Sequence, residues 1–146
     1  MNKQVPHLIV CASNQDERGG LFSYNEFDMA PVQRMYVIRP ASTRIVRAWQ
    51  AHRFEEKWFY CAQGSFEVKI VEIDDENSGK DSRIFTFNLE AERPDVLYIP
   101  GGYANGFRAS TENSKLVVFS NNTLDQSKAD DFRYPADKWN LWEKYE

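Results

Sequence analysis

The chain has 146 residues, of which 42% are hydrophobic, 27% charged and 14% aromatic, a balance that fits one domain able to bury a core without disulfides. Its formal charge of −4 excludes a general attraction to nucleic acid, so an anionic ligand would need a local cluster of arginines. No stretch approaches the roughly 20 apolar residues of a membrane span, and the run His7–Ala12 is too short for a signal-peptide core; with Cys11 and Cys61 read as reduced, buried thiols, the expected location is the cytoplasm.

In chain order, Ser13–Gly20 reads as a polar turn rich in Asn, Asp and Gly. Leu21–Asn25 and Val32–Arg39 read as strands, and in the second Arg34, Tyr36 and Ile38 share one face opposite Gln33, Met35, Val37 and Arg39. After a loop over Pro40–Arg44, Ile45–His52 is a strand that carries polar side chains inward. Trp58–Gln63 and Ser65–Asp74 are two strands meeting at Gly64, where a tight turn calls for a residue without a Cβ. Phe66, Val68 and Ile70 alternate with Glu67 and Lys69, which is the period of a strand with one wet face. Asp75–Asp81 is a solvated hairpin loop, and Phe85, Phe87 and Leu89 then alternate with Ile84, Thr86 and Asn88.

A strand over Asp95–Pro100 ends in Gly101-Gly102, a sharp turn expected at a barrel mouth, and Tyr103–Ser110 and Lys115–Asn121 follow as strands about Glu112-Asn113-Ser114. Only beyond residue 124 does the texture change. Asp125–Phe132 fits a helical turn or two, and the Trp-rich segment Asp137–Tyr145 a short terminal helix, with Trp139 and Trp142 packed on the barrel's outside or across a dimer interface. Many short strands punctuated by Gly, Pro and Asn, without repeat or linker, give a single all-β domain over residues 1–146, a sandwich or barrel.

Two stretches combine residue types in an unusual order: Arg47-Ala48-Trp49-Gln50-Ala51-His52-Arg53 with Lys57 and Gly64 behind it, and Ile99-Pro100-Gly101-Gly102-Tyr103-Ala104-Asn105-Gly106-Phe107. With Asp16-Glu17-Arg18-Gly19 near the start, this order resembles the RmlC-like cupins over about residues 16–121. That group holds the dTDP-4-dehydrorhamnose 3,5-epimerases and the dTDP-4-keto-6-deoxy-sugar 3,4-ketoisomerases. The epimerase pattern Arg-Gly-x-His is met by Arg47–Gln50 and Lys-x6-Gly by Lys57 through Gly64. The ketoisomerase pattern Arg-Gly-x-His-Ala-His-Lys is met by Arg47–Arg53.

The resemblance implies a jelly-roll cupin barrel with a short C-terminal helical segment, a homodimer, and a nucleotide-sugar ligand. It implies an isomerase or epimerase of surface-polysaccharide synthesis with no cofactor, or a binding module that has lost its chemistry. Metal-binding cupins hold their ion at places occupied here by Gln50, His52, Lys57 and Asn105, a set that leaves one ligand and puts an ammonium where a cation belongs, so no metal is expected. The epimerase base falls at Gln50, which does not titrate, and its tyrosine acid at Val118, which turns the expectation toward 3,4-ketoisomerisation. His52 then becomes the base and Lys57 the holder of an enolate oxygen. Arg18 and Arg47 match positions that face the diphosphate, with Gln50, Tyr103 and Asn105 beside the substrate. From their residue types alone, His52 reads first as a hydrogen-bonded core histidine and the two arginines as surface side chains, while a snorkelling residue at a strand start fits Lys57 as well as a site role does.

Overall fold

The computed structural model describes residues 4–73 and 83–142. Two five-stranded antiparallel sheets face one another, the jelly-roll arrangement expected. The first has the order β1-β9-β6-β11-β4, from β1 (His7–Val10), β4 (Arg34–Ile38), β6 (Lys57–Gln63), β9 (Asp95–Ile99) and β11 (Lys115–Ser120). The second has the order β12-β5-β10-β7-β8, from β5 (Val46–His52), β7 (Ser65–Glu72), β8 (Ile84–Glu90), β10 (Tyr103–Ala109) and β12 (Phe132–Arg133). Separately, β2 (Ala12–Asp16) and β3 (Gly19–Ser23) form a two-stranded ribbon.

The core is the set of inward-alternating side chains of both sheets. Phe66, Val68 and Ile70 of β7 are fully buried, and they pack with Phe59, Leu97, Phe107, Leu116 and Val118. Each such side chain contributes about 1.5–3 kcal/mol by leaving water. The glycine turns have steric causes. A Cβ on Gly64, whose φ is +74°, would lie 2.1 Å from Ser114 Oγ, and one on Gly101 would lie 2.4 Å from the Arg53 carbonyl oxygen. The second contact seats the β9–β10 turn against the loop after β5, and its glycines take no part in the main cavity.

Several expectations are corrected. Ser13–Gly20 is a hairpin rather than a polar turn: its polar residues build β2 and the start of β3, and the reversal is confined to Glu17-Arg18. Such a strand has no apolar alternation to reveal it, because all five residues of β2 are exposed. The helical turn is shorter and earlier than Asp125–Phe132: α1 (Leu124–Lys128) starts at Thr123, whose side chain accepts from the Gln126 N–H while Gln126 caps back. Phe132 belongs instead to β12, which pairs with β5 through Phe132↔Ala51 and Arg133↔Gln50. In the terminal segment only Lys138–Asn140 forms a 3₁₀ turn; its end beyond Trp142 and the loop expected over Asp75–Asp81 lie outside the described residues. Cys61 is a buried free thiol, whereas Cys11 is only partly buried.

The tail packs on the outer face of the second sheet. Trp139 meets Trp49 edge to face with centroids 5.1 Å apart, and Trp142 lies 6.1 Å from the same ring. Tyr134, directly after β12, belongs to the same cluster and exchanges two backbone hydrogen bonds with Trp49, which extends the pairing of β12 with β5.

Candidate active site

A cavity of about 890 Å³ opens where β4, the edge of the first sheet, faces β5 and β12 at the edge of the second. Five cationic side chains line it, Arg34, Arg47, Lys57, Lys128 and Arg133, against one carboxylate, Asp131. A chain of net negative charge therefore concentrates positive charge in this cavity, the local condition an anionic ligand requires.

Lys57 stands at the start of β6 with its side chain turned inward and only 2% exposed. Its ammonium donates to Gln50 Oε1 at 2.8 Å and to Tyr36 Oη at 3.1 Å. Charge compensation comes from Glu55, whose Oε2 is 3.5 Å away. A buried lysine needs such a counter-ion, and its burial decides against a snorkelling role. Glu55 is itself nearly unexposed, and the same oxygen lies 3.4 Å from His52 Nε2 and 3.7 Å from Arg34 Nη2. Arg34 also donates to Ser127 Oγ of α1 at 3.1 Å, which ties α1 to β4.

The loop that carries Glu55 is held by one carboxylate. Asp130 Oδ1 accepts from the Arg53 N–H at 2.8 Å, and its Oδ2 accepts from the N–H groups of Phe54 and Glu55, both at 2.9 Å. Desolvation raises the Asp130 carboxyl, but these three backbone donors outweigh it and leave the group below its usual 3.8. The Asp130 backbone carbonyl accepts from His52 Nδ1, which fixes the proton on that nitrogen. Burial, and after it the charge of Lys57, pushes His52 below its usual 6.5, against the pull of the Asp130 carbonyl and the Glu55 carboxylate.

Of the seven site residues expected from sequence, four line the cavity: Arg47, Gln50, Lys57 and Asn105. Gln50 bridges Lys57 and Asp131, and Asn105 Nδ2 donates to the Gln50 backbone carbonyl at 3.2 Å. Three are elsewhere. His52 shares the parity of Gln50 but stops behind Lys57, 4% exposed, with its nitrogens directed at Asp130 and Glu55. Tyr103 is a core residue at the far end of β10, its hydroxyl donating to the Gln4 carbonyl at 2.8 Å and its ring against Phe85. Arg18 sits at the tip of the β2–β3 ribbon, 84% exposed and paired with Asp16 at 2.6 Å.

Sequence reasoning missed Tyr36, Arg34, Glu55 and Asp131. The first two were within reach, since the alternation of β4 puts both on its inward face. Val118, where the resemblance places a tyrosine acid, is the register partner of Tyr36 across β11 and β4, and both line the cavity. Among the described residues, no group of three or more His, Cys, Asp or Glu is placed to hold a metal ion. The cupin metal places carry Gln50, His52, Lys57 and Asn105, and the Lys57 ammonium repels a cation there, so these residues do not fit one.

Comparison with known proteins gives one consistent picture. Residues 7–141 match the family model described as dTDP-4-dehydrorhamnose 3,5-epimerase. A curated relative, the probable low-salt glycan biosynthesis epimerase Agl13 of Haloferax volcanii, is 30% identical over 131 residues, covering 85% of this chain and 82% of that protein. The crystal structure of a dTDP-4-dehydrorhamnose 3,5-epimerase from Bacillus anthracis, with TDP and PPi bound, superposes with a TM-score of 0.80 at 17% identity, over 97% of this chain and 86% of that one. A mutant of the 3,4-ketoisomerase QdtA from Thermoanaerobacterium thermosaccharolyticum, in complex with TDP-4-keto-6-deoxyglucose, superposes with a TM-score of 0.69 at 22% identity, over 88% and 87% of the two chains. At those identities the two structures show the shared fold.

Proposed function

Because this chain belongs to the dTDP-4-dehydrorhamnose 3,5-epimerase family, we propose that it is a nucleotide-sugar isomerase or epimerase of glycan biosynthesis, acting on a 4-keto-6-deoxyhexose joined to a nucleoside diphosphate. The observation that carries the reading is the buried Lys57 ammonium, within hydrogen-bond reach of Gln50 and Tyr36 in a cavity lined by five cations. A ketone oxygen seated on Lys57 becomes an enolate oxygen when a proton leaves the neighbouring carbon. A fixed cation in a water-poor site stabilises that charge more than water does. Tyr36, whose oxygen already accepts from Lys57, is the group that passes a hydroxyl proton to and from the enolate. The enolate is thus held by side chains alone.

Of the reactions open to such an enolate, 3,4-ketoisomerisation suits this cavity better than 3,5-epimerisation, because Gln50, which does not titrate, occupies the epimerase base place; the hydroxyl missing at Val118 is supplied in either reaction by its register partner Tyr36. Arg47 faces the diphosphate at the rim. Arg18 serves the same group in a second copy of the chain: its ribbon is exposed along β2, and an isolated two-stranded ribbon is marginally stable in water. That makes a homodimer part of the reading.

NMR of the protein with dTDP-4-keto-6-deoxyglucose in D2O tests it. The expected result is a shift of the ketone to C3 with deuterium entering at C4 of the product and at C3 of recovered substrate. Deuterium at C5 points to epimerisation instead. Binding of dTDP without any product or exchange identifies a module that has lost its chemistry.

A further inference from the structure

With Gln50 unable to titrate and His52 shut behind Lys57, the cavity needs another acceptor for a carbon-bound proton. We propose that Asp131, the residue just before β12, is the general base of this site; the inference rests on the enolate chemistry proposed above.

Asp131 is the one carboxylate among the described residues that line the cavity, and no histidine lines it. Its orientation is fixed by two donors. Arg133 Nε donates to Oδ1 at 2.8 Å and Arg133 Nη2 to Oδ2 at 3.2 Å, while Gln50 Nε2 donates to Oδ1 at 3.3 Å. A carboxylate has about four lone-pair sites. Oδ1 uses both of its sites on Arg133 and Gln50, and Oδ2 uses one on Arg133, which leaves one acceptor site, on Oδ2.

The Gln50 amide turns this arrangement into a catalytic geometry. Lys57 is a donor only, so the amide oxygen must face it, and the amide nitrogen is then committed to Asp131. One planar group thereby carries a cation at its oxygen and a carboxylate at its nitrogen, and all three residues line the same cavity. Sequence comparison alone counts Gln50 as a lost base. In the structure it is the spacer that aims the acceptor.

The charge state suits the role. Desolvation raises the Asp131 carboxyl, but hydrogen bonds from Arg133 and Gln50 and the charges of Arg133 and His52 together hold it below its usual 3.8, so it is ionised at neutral pH. An ionised carboxylate is a modest base, and the driving force comes from the Lys57-stabilised enolate, a division of labour known from other carboxylate-catalysed enolisations.

The proton balance closes. Asp131 Oδ2 takes the C3 proton, the C–H electron pair forms the C3=C4 bond, and the C4 oxygen gains the charge beside Lys57. Tyr36 gives its hydroxyl proton to that oxygen, and the resulting tyrosinate takes the proton of the C3 hydroxyl. The C3 oxygen becomes the ketone as the enediol electrons take a proton at C4 from the Asp131 acid. Both residues end as they began.

The test compares wild type, Asp131→Asn and Asp131→Glu, using dTDP-4-keto-6-deoxyglucose for turnover and dTDP for binding by thermal shift. Expected for Asp131→Asn is a loss of kcat of about 10²–10⁴-fold, with KM within a few-fold and the dTDP thermal shift retained; Asp131→Glu recovers part of the rate. The wild-type kcat/KM falls at acid pH in the carboxylate range, with Arg133 on β12 and Gln50 on β5 bonded to the group and His52 acting on it only through its charge, and this limb is absent from the residual rate of Asp131→Asn. Retained turnover in Asp131→Asn overturns the proposal, and so does a loss of dTDP binding in step with rate, which marks a structural role. A wild-type protein that binds dTDP but neither converts nor exchanges the sugar overturns the enzyme reading and this base with it.

Discussion

Glu55 Oε2 and Lys57 Nζ lie 3.5 Å apart with 0% and 2% of their side chains exposed. Breaking such a pair costs about 3–5 kcal/mol when the other charge is left stranded, and without Lys57 the cation left beside Glu55 is Arg34, 3.7 Å from the same oxygen. Lys57→Met is therefore expected to lose up to about that much stability in urea unfolding. Adding Glu55→Gln to it recovers part of the loss, since the buried carboxylate charge is removed. A single Lys57→Met as stable as wild type would show that the carboxylate does not depend on this lysine.

The hydroxyl of Tyr36 is the proton carrier in the proposed reaction. Tyr36→Phe keeps the ring, so stability should change by no more than about 1 kcal/mol, the net value of one hydrogen bond. The kcat for the 4-keto sugar nucleotide should fall by about 10²–10⁴-fold, and the thermal shift with dTDP should persist. Steady-state kinetics beside a melting curve separates the two effects; unchanged kcat removes Tyr36 from the chemistry.

Asp130 satisfies three backbone N–H groups in the Arg53–Glu55 loop. An unsatisfied buried donor costs about 1–3 kcal/mol; the Glu55 N–H is buried while Arg53 and Phe54 are exposed residues, so Asp130→Ala should lose at least about 1 kcal/mol. Asp130→Asn should lose less, because its one oxygen still accepts. Equilibrium denaturation of both variants checks the order, and equal losses would mean that the loop is held by something other than these bonds.

His52 makes stability depend on pH above the carboxylate range. Its folded pKa is below 6.5, so between the two values the unfolded chain binds a proton that the folded chain does not. Stability is then complete above pH 6.5 and is lost as pH falls through that window. Asp130 and Asp131 sit below 3.8 and act only at lower pH. The melting temperature should drop between pH 7 and pH 5, and His52→Asn should flatten that drop; an unchanged slope would mean that other groups dominate.

Strand alternation was legible wherever one face met the core, as in β7 and β8, because period-2 patterning is what burial imposes on a sheet. It failed for β2, which has no buried face, and for the two-residue β12, too short to show a period. The cap at Thr123 was legible in principle, since Thr-x-x-Gln is a helix-start signature. Within the site, the residues of β5 and β10 were found through their ordered motif. Glu55 and Asp131 were not, because nothing local marks a loop carboxylate whose partners lie on other strands. His52 failed differently: parity gave its face correctly, but parity says nothing about depth, and Lys57 stands in front of it.

The pairing of Tyr36 with Val118 bears on how such sites drift. Register partners in a sheet bring their side chains within a few ångströms of each other on the same face, so a working group can pass from one strand to its neighbour while its position in space hardly changes. Column by column, that exchange reads as one loss and one unrelated gain. A sheet is a two-dimensional lattice of addresses, and in the proposed site the hydroxyl of Tyr36 lies one strand away from the address that the resemblance gives it at Val118.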